Sequence, residues 1–466
     1  MKAKQIFTAL VIAGLGGTGS LAHAAGPDRM AELETQLKQL QEQLEALKRS
    51  TPSAQEVAAL RDKVASQDKQ AVVAGSIPNS FRLPGSETSL RIYGSAELNM
   101  VHESKGDNSA NDYSTFTPFM PLNGSPEAQR KGQTYMHART SRIGLEAATP
   151  TPLGPASMKI EGDFNNDPRT GNSAVYGDLR NIYTQLNTNS YDFRLRHAYV
   201  RIGGLLVGQS WSTFMDVNNA PETVDFNGPI GSTFIRQPQI RYTHSTQDWG
   251  DFSGAIENSV SYVLDSSGRA TTDGFSKVPD LIARWDKRFD WGALSLRTVS
   301  HEHRIEGALG SQARRGNGFA ASGQIKSIGD DFFTWGITGG TGIGRYFNMI
   351  QGAAYDSVQQ RIEMEKAVGV VLGYQHKISD SLRLNAVYGA QRTSDNDYTD
   401  LAIRNGFGGG QYGVNRRISQ FHFGGIWNPV KAMDVGLEYI FGRRETLLGE
   451  KGDMSRINMM VRYNLN

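Results

Sequence analysis

Arginine is the residue type whose spacing could do chemistry in this chain. Arg91, Arg142, Arg201, Arg241, Arg284, Arg297, Arg383, Arg444 and Arg462 fall on the polar side of segments in which polar and apolar residues alternate. A guanidinium stays charged and presents a planar fork of N–H donors, which pairs bidentately with a carboxylate. The densest group lies in 194–242, where Arg194, Arg196 and Arg201 precede a long polar segment and Arg236 and Arg241 follow it. That segment carries Asp216, Glu222 and Asp225. Basic walls around an acidic insert make a place where small anions would be held and oriented. The competing reading is that each arginine is neutralised by a neighbour such as Glu97, Asp163, Glu257 or Glu438.

Other constellations carry less. His301 and His303 are two apart, but no third ligand stands at useful spacing, so a hydrated loop base is the better reading than a metal site. The acidic tracts 106–113 and 393–400 read as solvated external loops rather than calcium sites. Gly340, Gly342 and Gly344 lack the helix and downstream acid of a dinucleotide loop, and 406–410 lacks the Lys-Ser/Thr of a phosphate loop. There is no nucleophile elbow, metal-binding helix or convincing carboxylate pair. We therefore assign no catalytic residue, no metal and no cofactor, and the chain does not read as an enzyme. Cysteine is absent, which removes disulfides and thiolate ligands. A net charge of +2 gives no clustered basic surface for nucleic acid.

The elements that must position the arginines follow from periodicity. Lys2 and Lys4, the apolar run 6–15 and Ala22-His23-Ala24 predict a secretory signal peptide over 1–24. Met30, Leu33, Leu37, Leu40, Leu44 and Leu47 are spaced three and four apart, which predicts an α-helical coiled-coil segment within 25–74. Pro78, Pro84, Gly75 and Gly85 punctuate a linker over 75–89. From Leu90 the period becomes two. Leu90, Ile92, Leu98 and Met100 share one face, while Arg91, Tyr93, Glu97 and Asn99 share the other. The same alternation recurs at 156–165, 382–391, 435–444 and 457–465. Around Tyr135–Arg142 the phase is ambiguous, as a bulge would make it.

A soluble sandwich also alternates, but three features favour a membrane barrel. The polar face is charged, as a wet lumen allows. Short connections such as Gly203-Gly204, 327–331, 377–381 and 428–433 trade with long ones at 103–133, 166–192, 265–277, 393–416 and 445–453. Trp249, Trp285, Trp291, Trp335, Trp427 and Tyr463 sit near strand ends, where an aromatic girdle belongs. At roughly 10 residues per crossing plus turns, 90–466 predicts an all-β transmembrane barrel of about 16 antiparallel strands. The segment 212–235 is the candidate inward-folded loop that sets its bore.

With these residues in view, the chain resembles the DcaP-like family of trimeric outer-membrane porins. The likeness is carried by 77–93 (IPNSFRLPGSETSLRIY), 193–216 (FRLRHAYVRIGGLLVGQSWSTFMD), Arg142-Ile143-Gly144-Leu145-Glu146 and Val461-Arg462-Tyr463. The resemblance implies a 16-stranded barrel, a homotrimer, a periplasmic coiled coil and uptake of dicarboxylates or aromatic diacids. One departure is the ending Leu465-Asn466, where such barrels usually finish on an aromatic residue. The expectation is an outer-membrane porin of a Gram-negative bacterium that lets small anionic solutes diffuse through. Its pore would be lined by Arg201, Arg241, Arg196, Arg194, Arg236, Arg91, Arg284, Arg297 and Arg383, with Asp216, Glu222 and Asp225 as loop acids setting a transverse field. Expected partners are outer-membrane lipid and lipopolysaccharide, other copies of the chain, and peptidoglycan through the coiled coil. The alternatives are a non-specific or sugar porin, or a barrel-anchored cell-wall tether.

Overall fold

The computed structural model describes residues 73–106, 117–165, 191–347 and 352–465, together with the helical positions Thr35, Lys38, Gln39, Glu42 and Lys63. The expected signal peptide and the heptad seam otherwise lie outside the described residues. So does the acidic tract after Gly106 as far as residue 116.

From residue 89 the period of two becomes strand. After the short β1 (Phe81–Arg82), the chain runs through β2 (Ser89–Lys105), β3 (Gln133–His137), β4 (Arg142–Thr149), β5 (Ala156–Asp163), β6 (Arg194–Ile202) and β7 (Leu205–Trp211). It continues through β8 (Arg236–Thr246), β9 (Gly250–Glu257), β10 (Asp280–Phe289), β11 (Gly292–Gly307), β12 (Gly310–Lys326) and β13 (Phe332–Thr341). A small hairpin, β14 (Ala353–Asp356) with β15 (Arg361–Met364), precedes β16 (Lys366–Ser379), β17 (Leu382–Ser394), β18 (Asn415–Trp427), β19 (Met433–Thr446) and β20 (Lys451–Leu465).

Neighbours pair antiparallel, and β20 closes on β2 with Leu465 opposite Gly94. Both β3 and β4 pair with β2, so they are halves of one crossing interrupted at 138–141, the site of the phase ambiguity. The described residues thus form a closed barrel of 16 antiparallel strands.

The wall is inverted relative to a soluble protein. Val200, Ile240, Phe423 and Leu437 are all more than half exposed on the outer face. Glu161, Arg196, Glu257, Glu438 and Arg456 are each under 5% exposed inside. Apolar outside and charged inside fits lipid around the wall and water in the lumen, since a charge facing lipid would cost about 2–4 kcal/mol at mid-membrane. Trp249, Trp291, Trp427 and Tyr463 stay exposed near the short turns and supply the interfacial ring.

One expected long connection differs. Residues 445–453 contain a tight turn, in which Thr446 N–H donates to the Glu450 carbonyl at 2.9 Å, so β19 and β20 simply run past the membrane. The external segments are also not merely solvated. The helix α1 (Asp397–Arg404) starts at Asn396, whose side chain accepts from Thr399 N–H in a capping box. It buries Tyr398, Leu401 and Ala402 against Leu264, Ala354, Val414 and Leu447. A second cluster joins Val263 and Ile305 to Tyr355, Ile362 and Met364 of the β14–β15 hairpin. The loops thereby build a cap with its own apolar core.

Candidate functional site

Residues 212–235 leave β7, cross the lumen and return to β8, held at each wall they touch. At the start, Thr213 N–H donates to Glu257 at 2.7 Å, and Phe214 is fully buried among Ile282, Val299, Tyr346 and Phe347. Arg284 donates to the Met215 carbonyl at 2.6 Å and lies 3.3 Å from Asp216. Asp216 also accepts from the Ser322 hydroxyl and the Asn219 amide, both at 2.6 Å. Further along, Arg383 of β17 grips Glu222 through Nε at 2.6 Å and Nη2 at 2.7 Å. Glu438 of β19 accepts from the backbone N–H groups of Val224 and Asp225, and Arg456 of β20 donates to Asp225 at 2.5 Å.

The loop then lies backbone to backbone on the wall. A Cβ at Gly389 would stand 2.0 Å from the Ile230 carbonyl oxygen, so only glycine permits this approach. Gly231 takes a left-handed φ of 95°, and its own Cβ would meet the Val370 and Ala390 carbonyls.

Two of the cavities beside the loop are lined by arginines. One, of about 730 Å³, reaches the short-turn end beside Gly203-Gly204 and is lined by Arg201, Arg241, Arg284, Asp251 and Asp286. The other, of about 310 Å³, lies between the loop and the wall and is lined by Arg142, Arg196, Arg236, Arg383 and Arg462, facing Glu97, Glu222, Asp225 and Asp434. Trp211 borders both.

The arginines divide sharply by what they touch. Arg194 and Arg196 grip Asp163 and Glu161 at 2.7–2.9 Å. Arg284 holds Asp286, Arg462 lies 2.9 Å from Glu97, and Arg91 lies 3.5 Å from Glu146, away from the loop. Arg297 is buried and bonded to the Ser322 hydroxyl at 2.7 Å. Among the described residues Arg201 and Arg241 form no ion pair and no side-chain hydrogen bond. Among the described residues Arg236 also forms no ion pair, and it lies over Trp211, its guanidinium carbon 3.5 Å from the ring centroid.

The structure therefore gathers Arg201, Arg241 and Arg284 in one cavity and Arg196, Arg236 and Arg383 in the other. It leaves Arg91, Arg194 and Arg297 aside from both. The loop acids have a different part from the one expected. Asp216 and Asp225 are buried and matched to Arg284 and Arg456, so they fasten the loop rather than set a field across the bore. Glu222 remains partly exposed, beside the smaller cavity.

Two residues escaped sequence reasoning, and Glu438, expected only to neutralise an arginine, holds the loop instead. Arg456 lies on the inward phase two positions before Asn458 and was reachable by extending that alternation. Trp211 faces Arg236 only through the β7–β8 register, and Glu438 holds the loop only through the barrel's closure. His301 and His303 are not the hydrated loop bases expected. They are buried in β11, where His301 meets Asp280 at 2.7 Å and His303 donates to the Gly342 carbonyl at 2.8 Å.

The sequence matches the description of the DcaP outer membrane protein over residues 19–465. The chain belongs to the DcaP outer membrane protein family. That family is one of outer-membrane proteins rather than of enzymes, and the barrel has the fold of a DcaP-type channel. The crystal structure of the outer membrane channel DcaP of Acinetobacter baumannii is similar, with 24% identity and a TM-score of 0.68 over 84% of this chain and 100% of that one. OmpT of Vibrio cholerae, in a trimer form, has 12% identity and a TM-score of 0.48 over 81% and 99%. An anion-selective porin from Comamonas acidovorans has 13% identity and a TM-score of 0.47 over 81% and 100%. No curated protein shows significant similarity to the chain.

Proposed function

We propose that this DcaP-family barrel is a porin for passive diffusion of small anions, with dicarboxylates and aromatic diacids as the favoured class. The observation that carries the reading is the pair Arg201 and Arg241, two lumenal guanidiniums that face the 730 Å³ cavity and form no ion pair among the described residues. Arg236 on Trp211 adds a cation beside an aromatic face, a surface suited to a carboxylate on a ring. A diacid would engage one guanidinium with each carboxylate and leave quickly, since transport favours sites no tighter than millimolar, worth about −4 kcal/mol. The homotrimer and the periplasmic coiled coil belong to the same reading, as the family resemblance implies and the heptad seam allows.

The acid-paired state of Arg194, Arg196, Arg284 and Arg383 favours a second reading, a non-specific pore with a balanced lumen. Bilayer recording separates the two. Succinate and phthalate should block chloride current in the native channel, and R201A/R241A should relieve the block. Block that is absent, or unchanged in the variant, would remove diacids from the proposal.

A further inference from the structure

The outer face of the barrel carries a second charged feature, far from the lumen. Lys366 of β16, Arg392 of β17 and Arg417 of β18 all point outward at the strand ends away from the short turns, and all are exposed. Arg392 and Arg417 stand directly opposite each other in the β17–β18 register. Lys366 is diagonal to Arg392, which pairs with Val368. Like charges directly opposite in a sheet are destabilising, and among the described residues none of the three has an ion-pair partner.

The acids nearby do not relieve them. Glu445 lies across from Arg417 on its other side, in register also with Lys451, yet it forms no ion pair among the described residues. Asp453 is taken by Arg443 at 2.8 Å, and Asp395 by Arg416 at 2.6 Å. Another rim arginine is balanced locally. On β11 Arg304 sits between Glu302 and Glu306, at 2.9 and 3.4 Å.

Directly below the basic group the same outward faces are apolar. Val368, Leu372, Tyr388, Phe421 and Phe423 are all at least one-third exposed. Phosphate-sized anions suit paired guanidiniums, and acyl chains suit the surface beneath. Short turns are periplasmic in outer-membrane barrels, which puts this group at the outer leaflet.

We infer that Lys366, Arg392 and Arg417 form a binding site for a phosphate-bearing lipid of the outer leaflet. Its phosphate bridges the two arginines, and its chains lie along Val368, Tyr388 and Phe421. The site is independent of the pore and of which solute the pore takes.

The test uses the full chain, extracted in mild detergent, with native mass spectrometry as the readout and purified lipid A as the probe. The native barrel should bind bisphosphorylated lipid A and hold dephosphorylated lipid A at least fivefold more weakly. R392Q/R417Q should lose at least fivefold of the first, R392K/R417K should fall between, and the rim control R315Q should match the native protein. Heat-modifiable gel mobility checks folding of each variant, and single-channel conductance should not change. Equal binding of the two lipids would overturn the inference. So would full retention in R392Q/R417Q, or a cross-link joining two copies through this face.

Discussion

Around the lumenal loop the same residue type serves opposite purposes. At its anchors, Arg284, Arg383 and Arg456 meet Asp216, Glu222 and Asp225 at hydrogen-bond or ion-pair distance. On the neighbouring β6 and β8, Arg201 and Arg241 face a cavity that Asp251 and Asp286 also line, yet among the described residues neither forms an ion pair. A paired guanidinium fixes backbone; an unpaired one leaves its field in the water of the pore. What distinguishes them is the path of the loop, which leaves β7 and lays its acids beside β10, β17 and β20.

Breaking the anchors should cost most. Arg456→Ala would leave Asp225 without this partner in a buried site, a loss of about 3–5 kcal/mol by analogy with broken buried pairs. A large fall in the temperature of the heat-modifiable gel transition should report it. Gly389→Val drives a side chain into the Ile230 carbonyl, and overpacking of this kind costs about 1–3 kcal/mol. It should dislodge the loop, raising single-channel conductance and current noise while the barrel still forms. Glu222→Gln removes an acid that is about one-third exposed, so stability should change by about 1 kcal/mol or less. Anion selectivity should rise slightly, because Arg383 then keeps only the more distant Asp434 as counter-charge.

The smallest effect lies outside the membrane, in the 327–331 turn. Its Asp331 is held down to about 2 by a hydrogen bond from His376, then by Lys377 N–H and the Tyr374 hydroxyl. A depressed carboxylate contributes stability above its unfolded pKa of about 3.9, and that contribution is lost as pH falls toward 2. Asp331→Asn should therefore lower stability at pH 6 and converge with the native protein near pH 2, as thermal melts at the two pH values would show.

Much of this was legible beforehand. Period-two alternation from Leu90, with charge on one side, placed Glu97, Asp163, Arg383 and Arg462 inside and Ile92, Leu437 and Val461 outside. Gly203-Gly204 and the polar stretch after Trp211 located the inward loop. What the alternation cannot give is pairing between strands distant in sequence. Arg201 and Arg196 look alike along β6, yet one faces open cavity and the other is clasped by Glu161 and Asp163 across the β5–β6 bulge. The external tracts were misjudged because their apolar residues, such as Leu264, Tyr398 and Leu447, are dispersed over three loops and meet only in space.

The central claim rests on Arg201 and Arg241, and reversal potential in a KCl gradient tests it most directly. The native channel should be anion-selective, and R201A/R241A should move the reversal potential most of the way toward zero with little loss of conductance. A cation-selective native channel, or an unchanged reversal potential in the variant, would contradict the account.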